Sequence, residues 1–166
     1  PVNAQRGYDL PVSAFTGRED GTWEQGTTAY EKRGVAVSVP VWNPDTCIQC
    51  NQCAYVCPHA TIRPFVLDEQ EQQGLGEGVE LLKAQGKQLA GMAFRIQVDV
   101  LDCLGCGNCV DVCPGKKGEK ALEMVPIATQ YDNQQNWDYM VKHVASKASL
   151  LDVKMNVKNS QFATPL

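Results

Sequence analysis

The sequence predicts an α+β fold made of two related halves joined by an insertion, and three observations carry that reading. Eight cysteines fall into two ladders of identical spacing. Short runs of Val, Ile, Phe and Trp bracket each ladder and read as strands. The clearest amphipathic stretch, residues 132–148, follows both ladders and reads as a single C-terminal helix.

The first ladder is Cys47, Cys50, Cys53, Cys57, then Pro58; the second is Cys103, Cys106, Cys109, Cys113, then Pro114. Each cysteine of the first recurs 56 positions later, and no cysteine is left over. Cys-x2-Cys-x2-Cys-x3-Cys-Pro is the bacterial two-cluster iron–sulfur run, in which the fourth cysteine of each ladder serves the other cluster. Three closely spaced thiolates reach three corners of a cube; the fourth must come from distant chain. The expected ligands are therefore Cys47, Cys50, Cys53 and Cys113 for one [4Fe-4S] cluster, and Cys103, Cys106, Cys109 and Cys57 for the other. The fold class becomes a pseudo-symmetric 2[4Fe-4S] ferredoxin-like domain, with a helical insertion, an irregular N-terminal arm and a C-terminal helix. Structural zinc favours paired knuckles with four ligands per site, a different pattern. A disulfide framework implies an oxidising compartment, and Pro1-Val2-Asn3-Ala4-Gln5-Arg6 is not followed by the apolar core of a secretory signal.

Along the chain, residues 1–37 are rich in Gly, Thr and charge, hold no regular period, and read as an arm or linker. The tyrosines and tryptophan of that arm (Tyr8, Tyr30, Trp23) suggest that it packs on something. The ferredoxin-like domain is expected over 38–126. Ser38–Trp42 reads as an edge strand, because Pro40 cannot donate within a ladder. Within the loops, Gly105 and Gly107 permit tight turns. Gln49, Asn51 and Gln52 occupy the matching loop, where polar groups can bond to sulfur. Ile48 and Leu104 correspond and shield the cubes, and Pro58 and Pro114 end the short helical turns carrying Cys57 and Cys113. Strands are expected at 62–66, 94–98 and 121–125. The intervening 67–93 reads as an insertion with one or two short helices, from the near-helical spacing of Val79, Leu82 and Leu89. Its Gly74-x-Gly76-x-Gly78 lacks the strand context of a dinucleotide site. In the C-terminal segment, 127–166, the helix is capped by Asp132 or Asn133 and carries Trp137, Met140, Val141 and Val144 on one face. Residues 152–166 lack a strong pattern.

Composition narrows the function further. The formal net charge is −4 before metal is counted. Eight thiolates and two cluster cores add roughly four more negative charges. An acidic protein is a poor partner for nucleic acid or anionic membrane, and no apolar run approaches a membrane span. No nucleophile, base or substrate motif is present, so no catalytic residue is assigned. His59 and His143 read as surface histidines, and Lys116-Lys117 as a solvated turn.

Pro11-Val12-Ser13-Ala14-Phe15, Asp20-Gly21-Thr22, Gln25-Gly26-Thr27 and Tyr30-Glu31-Lys32-Arg33-Gly34 lead into the first ladder. With Ala54-Tyr55-Val56 and Pro58-His59-Ala60 around its last cysteine, and with Lys158-Asn159-Ser160-Gln161-Phe162-Ala163-Thr164-Pro165-Leu166, the chain resembles pyruvate:ferredoxin (flavodoxin) oxidoreductase. The resemblance implies an internal electron-transfer domain of a larger, cytoplasmic, usually homodimeric thiamine diphosphate enzyme of anaerobic metabolism. That parent converts pyruvate and coenzyme A to acetyl-CoA and CO2, and passes electrons to ferredoxin or flavodoxin. It also implies a third cluster and a thiamine site outside this chain, which has neither a ninth cysteine nor a Gly-Asp-Gly motif. The alternative is a freestanding dicluster ferredoxin, against which stand the arm, the insertion and the tail.

Overall fold

A computed structural model describes residues 4–26, 30–152 and 154–163. The expectations that touch Pro1–Asn3, Thr27 and Thr164–Leu166 lie outside those residues. Two compact units make up the chain, Pro1–Arg33 and Gly34–Leu166.

In the first unit order is local. Single 3-10 turns form at Gly7–Asp9 and Val12–Phe15. The rings of Phe15 and Trp23 meet edge to face at 6.3 Å, and the Arg18 guanidinium lies 4.8 Å from the Trp23 ring centre while pairing with Glu24. Tyr8, Trp23 and Tyr30 are exposed. With so little apolar surface buried, the segment follows its own turns, as its composition predicts.

The second unit is α+β. Its elements are β1 (Ser38–Trp42), α1 (Gln52–Tyr55), β2 (Ile62–Leu67), α2 (Glu69–Gln73), β3 (Leu82–Lys83), β4 (Ala93–Val98), α3 (Asn108–Asp111), β5 (Leu122–Pro126), α4 (Gln134–His143) and α5 (Val157–Ala163). The four expected strands form, displaced by a residue at most. Their partners come from opposite halves. β1 runs antiparallel to β5, with Ser38 opposite Pro126 and Trp42 opposite Leu122. β2 runs antiparallel to β4, with Ile62 opposite Val98 and Leu67 opposite Ala93. The short β3 pairs on the other side of β4, giving the order β2-β4-β3. Pro40 and Pro64 thus both lie on edge strands, where a missing N–H is tolerated.

The core gathers Val39, Trp42, Ile62, Val66, Phe94, Ile96 and Val98 with Cys53, Cys103 and Cys109. Phe94, Ile62 and Leu67 are fully buried, each stabilising by about 1.5–3 kcal/mol relative to exposure. Trp42 and Phe162 both meet Phe94 edge to face, at 6.3 and 6.1 Å. The alternation of β4 predicts one wet face; instead all six residues are buried. Arg95 donates to Gln97 Oε1 and to the Glu80 carbonyl, each at 2.7 Å, and lies over the Trp42 ring. Gln97 donates to the Asn133 carbonyl at 3.1 Å. The insertion and the start of α4 therefore roof the polar face and satisfy it, as burial requires.

Three helix expectations are corrected. The insertion's helix is α2, begun by a capping box in which Asp68 accepts from Gln70 and Glu71 N–H while Glu71 accepts from Asp68 N–H; Val79, Leu82 and Leu89 share no helix, and Leu82 joins the sheet instead. The C-terminal helix is shorter than 132–148. Tyr131–Asn133 is a 3-10 turn, and Asn133 caps α4 without a side-chain bond. At the far end Val144 turns extended, and Ala145 N–H donates to Glu71 Oε1 at 2.8 Å. Trp137 and Met140 are buried as expected, whereas Val141 is exposed. The tail also holds α5, whose first turn Asn156 caps by accepting from Asn159 N–H at 2.9 Å.

Glu71 ties the insertion to the C-terminal segment. Its carboxylate receives Lys147 Nζ on both oxygens at 2.7 Å, with both side chains about nine-tenths buried, and its carbonyl accepts from Tyr139 at 2.8 Å. Removing one member of a buried pair strands the other charge. Lys147→Met should destabilise the unit by on the order of 3 kcal/mol, read as a lowered thermal unfolding midpoint of the metal-loaded protein; an unchanged midpoint refutes the role given to the pair.

Candidate metal centre

Each ladder loop turns back on itself through two left-handed residues. In the second loop these are Gly105 (φ +70°) and Gly107 (φ +80°); at the same ladder positions in the first they are Gln49 (φ +56°) and Asn51 (φ +62°). A left-handed non-glycine residue costs about 1–2 kcal/mol, less for Asn. The side chains offset that cost. Gln49 donates to the Lys83 carbonyl at 2.8 Å and accepts from Gln85 N–H at 3.0 Å, while Asn51 donates to the Lys158 carbonyl at 3.4 Å. Their side chains therefore brace the loop against the insertion and α5 instead of reaching sulfur, and Gln52 is exposed. Backbone groups reach sulfur instead: Gln49 N–H donates to Cys47 Sγ and Gly105 N–H to Cys103 Sγ, both at 3.4 Å. Gly105 has a second constraint, since a Cβ there would lie 2.6 Å from the Ser38 carbonyl oxygen.

The turns lead directly into α1 and α3, which carry Cys53 and Cys109. Cys57 and Cys113 lie just past these helices, not on them, so Pro58 and Pro114 follow turns that have already ended. Cys57 Sγ accepts from Thr61 N–H at 3.3 Å and shares a bond with its hydroxyl at 3.4 Å. Cys113 Sγ accepts from Ala121 N–H at 3.3 Å.

Two cavities result. One is lined by Cys47, Cys50, Cys53 and Cys113, with Trp42, Ile48 and Asn51 among its walls. The other is lined by Cys103, Cys106, Cys109 and Cys57, with Leu104 and His59 at its edge. Each encloses three thiols of one ladder and the last thiol of the other. Ile48 and Leu104 each wall one cavity while 40% and 51% exposed, a covering position on the outside of the site. Among the described residues, no three His, Cys, Asp or Glu side chains converge as they would on a single ion; the thiols surround space instead. A larger groove between β2, α4 and α5, lined by Arg63, Phe65, Met140 and Lys147, contains no cysteine and has no part in this chemistry.

The electrostatics explain what such cavities favour. Burial, joined by Cys109, Cys47 and Cys50, pushes the Cys53 thiol strongly up. Burial together with Cys103 and Cys57 pushes Cys109 up to about 12. Burial likewise raises Cys47 and Cys103, where the nearby charges include Cys113 and Cys57 respectively. Cys57 goes the other way: burial raises it, but the Thr61 hydroxyl and the N–H groups of His59, Thr61 and Ile62 together outweigh burial. Four thiolates around an apolar cavity repel one another unless cationic metal sits among them. The all-sulfur donor set, the N–H groups aimed at it and the apolar walls fit an iron–sulfur cube.

Paired all-thiol cavities of this kind define an iron–sulfur dicluster domain, and residues 39–114 match the 4Fe-4S dicluster domain family. Residues 1–36 match a domain of unknown function, EKR, which spans the Glu31-Lys32-Arg33 run. The likeness to enzymes named for pyruvate extends over the whole chain. It is 50% identical to the pyruvate-flavodoxin oxidoreductase of Enterobacter agglomerans over 166 residues, and 48% identical to the pyruvate:ferredoxin oxidoreductase of Moorella thermoacetica over 172, with all of this chain covered in each case. It is also 45% identical, again over all of its length, to the pyruvate dehydrogenase (NADP+) of Cryptosporidium parvum. The chain spans 14% of the first two relatives and 8% of the third. Among the described residues, no helix is long and apolar enough to cross a membrane.

Sequence reasoning did not find the brace formed by Gln49, the support of Asn51 by α5, or the Thr61 bond to Cys57. Residue type held no signal for them, because each depends on a partner brought in by the fold. Gly105→Val places a β-branched residue at positive φ against the Ser38 carbonyl. The variant should bind less iron than the parent protein after anaerobic reconstitution; full iron content would refute the constraint.

Proposed function

We propose that this chain is an electron-transfer segment of a pyruvate:ferredoxin or pyruvate:flavodoxin oxidoreductase, carrying two [4Fe-4S] clusters. Cys47, Cys50, Cys53 and Cys113 would hold one, and Cys103, Cys106, Cys109 and Cys57 the other. One observation carries the reading: each cavity is lined by three thiols from one ladder and the fourth from the other. Such a cluster accepts and passes on single electrons without a large change of shape. The chain's own work is to hold eight sulfurs, exclude water with apolar walls, and bring the two sites together. α1 and α3, which carry Cys53 and Cys109, pack against each other, which supports a short path between the sites.

The two strand–ladder–helix–strand halves support a pseudo-symmetric domain. Its parts would be the arm at 1–37, the ferredoxin-like domain at 38–126 with its insertion at 67–93, and a C-terminal helix and linker at 127–166. The relatives' names differ in electron acceptor (flavodoxin, ferredoxin, NADP+) while all match this whole segment at 45% identity or better. That pattern supports a relay common to all three, with ferredoxin or flavodoxin as acceptor here and the choice made outside the segment. Thiamine diphosphate, a third cluster and the 2-oxoacid site would belong to the remaining domains of a homodimeric, cytoplasmic enzyme of anaerobic metabolism. A freestanding ferredoxin is less well supported, because the likeness to the large oxidoreductases covers the arm and tail as well as the ladders.

Prepared without air, the protein should contain eight irons and show two interacting electron paramagnetic resonance signals when reduced. A colourless or zinc-loaded product refutes the reading. Cys57→Ala should impair the cluster built mainly on the second ladder, and selective loss of the first-ladder cluster refutes the exchange of fourth ligands. Given pyruvate, coenzyme A and thiamine diphosphate, the chain alone should show no turnover; substantial turnover would place the catalytic site within these residues.

A further inference from the structure

Buried polar atoms without partners are rare in folded proteins and call for a physical account. Among the described residues three side-chain atoms are of this kind: Arg18 Nε, Trp42 Nε1 and Asn51 Oδ1. Arg18 lies in the first unit. The other two line the same cavity, the one walled by Cys47, Cys50, Cys53 and Cys113. Only one of them is a donor. Sulfide and thiolate sulfur accept hydrogen bonds, so the contents of the cavity can satisfy the indole N–H of Trp42 and not the carbonyl of Asn51.

The surroundings of Trp42 hold its ring in place. It is 8% exposed, closes β1 opposite Leu122, meets Phe94 edge to face and lies beneath the Arg95 guanidinium at 5.5 Å. Strand, ring and cation together leave the indole little room to turn its N–H elsewhere. Trp42 and Cys47 line the same cavity, and the indole N–H forms no bond of proper geometry with protein. The other cavity differs. Five residues before its first cysteine, where Trp42 precedes Cys47, stands Val98, which has no donor. The lining of that cavity carries no indole; its polar side chains are His59, Asn108 and Thr61, whose hydroxyl is already bonded to Cys57.

We propose that the indole N–H of Trp42 donates a hydrogen bond to a sulfur of the cluster held in the Cys47–Cys50–Cys53–Cys113 cavity, and thereby holds the reduction potential of that cluster up. The proposal rests on the cluster reading above. Reduction adds one electron, whose charge spreads over the sulfurs, and the proton stays on the indole. A donor aimed at sulfur stabilises the charge-rich state more than the charge-poor one, so it raises the potential. Trp42 is in this sense a tuning residue: it makes two cavities with the same thiol arrangement electrically unequal, and so contributes to the direction of electron flow between them.

The test uses the whole chain, loaded anaerobically with iron and sulfide, and compares it with Trp42→Phe. Phenylalanine keeps an aromatic ring at this position and removes the donor. In a redox titration followed by electron paramagnetic resonance, one cluster of the variant should shift to a more negative potential while the other stays put, at unchanged iron content. Two unshifted potentials at full iron content overturn the proposal. A second measurement needs no variant: in the wild-type protein with 15N-labelled indole, pulsed resonance on the reduced clusters should detect a tryptophan nitrogen. Trp23 and Trp137 line neither cavity, so absence of that coupling also overturns it. Wild-type protein that takes up no iron overturns the cluster reading and the proposal together, and iron analysis distinguishes that result from the failure of Trp42 alone.

Discussion

Each four-thiol cavity draws its sulfurs from two stretches of chain far apart in sequence, and the rest of Gly34–Leu166 is arranged to meet that demand. Cys113 must reach the first ladder and Cys57 the second. The strand pairing does the same thing one level up. β1 of the first half finds β5 of the second, and β2 finds β4, so neither half has a complete sheet of its own. Sheet and site are closed by the same crossing of the chain. Folding and metal uptake should therefore be coupled, because four thiolates in an apolar cavity repel one another unless cationic metal sits among them.

That coupling explains the form of the ladder loops. Each ladder loop aims a backbone N–H at sulfur and visits left-handed backbone twice. Glycine does this without strain in the second loop, and there the Ser38 carbonyl leaves no room for a Cβ at 105. In the first loop Gln49 and Asn51 take the same conformation and offset the cost through bonds to the insertion and to the α5 backbone. The insertion and the tail are thus supports of the first site. Glu71 completes the arrangement by joining α2 to Lys147 and Ala145.

Much of this was legible beforehand. The cysteine spacing marked every thiol that lines a cavity, and the Val, Ile and Phe runs marked four strands to within a residue. Misreadings cluster where tertiary contacts override local pattern. Val79, Leu82 and Leu89 have helical spacing, but the free edge of β4 draws Leu82 into a strand. The stripe through Val144 suggests a longer α4, but the Glu71 carboxylate draws Ala145 N–H away and the helix stops at His143. α5 was missed because a single buried aromatic, Phe162, and an Asn cap make a weak period.

By itself the sequence determined the chemistry: eight thiols, their ladder spacing and the glycines that let the second loop turn. These are local properties, set by residue type and by a few bonds of chain. Tertiary structure decided which strands pair, that the polar face of β4 is covered and satisfied, and that Trp42, its indole N–H unpartnered, lines one cavity while Val98 stands at the corresponding ladder position of the other half. Those outcomes depend on groups far apart in the chain, whose meeting is governed by packing and by the need to satisfy buried polar atoms, and no local pattern encodes that meeting.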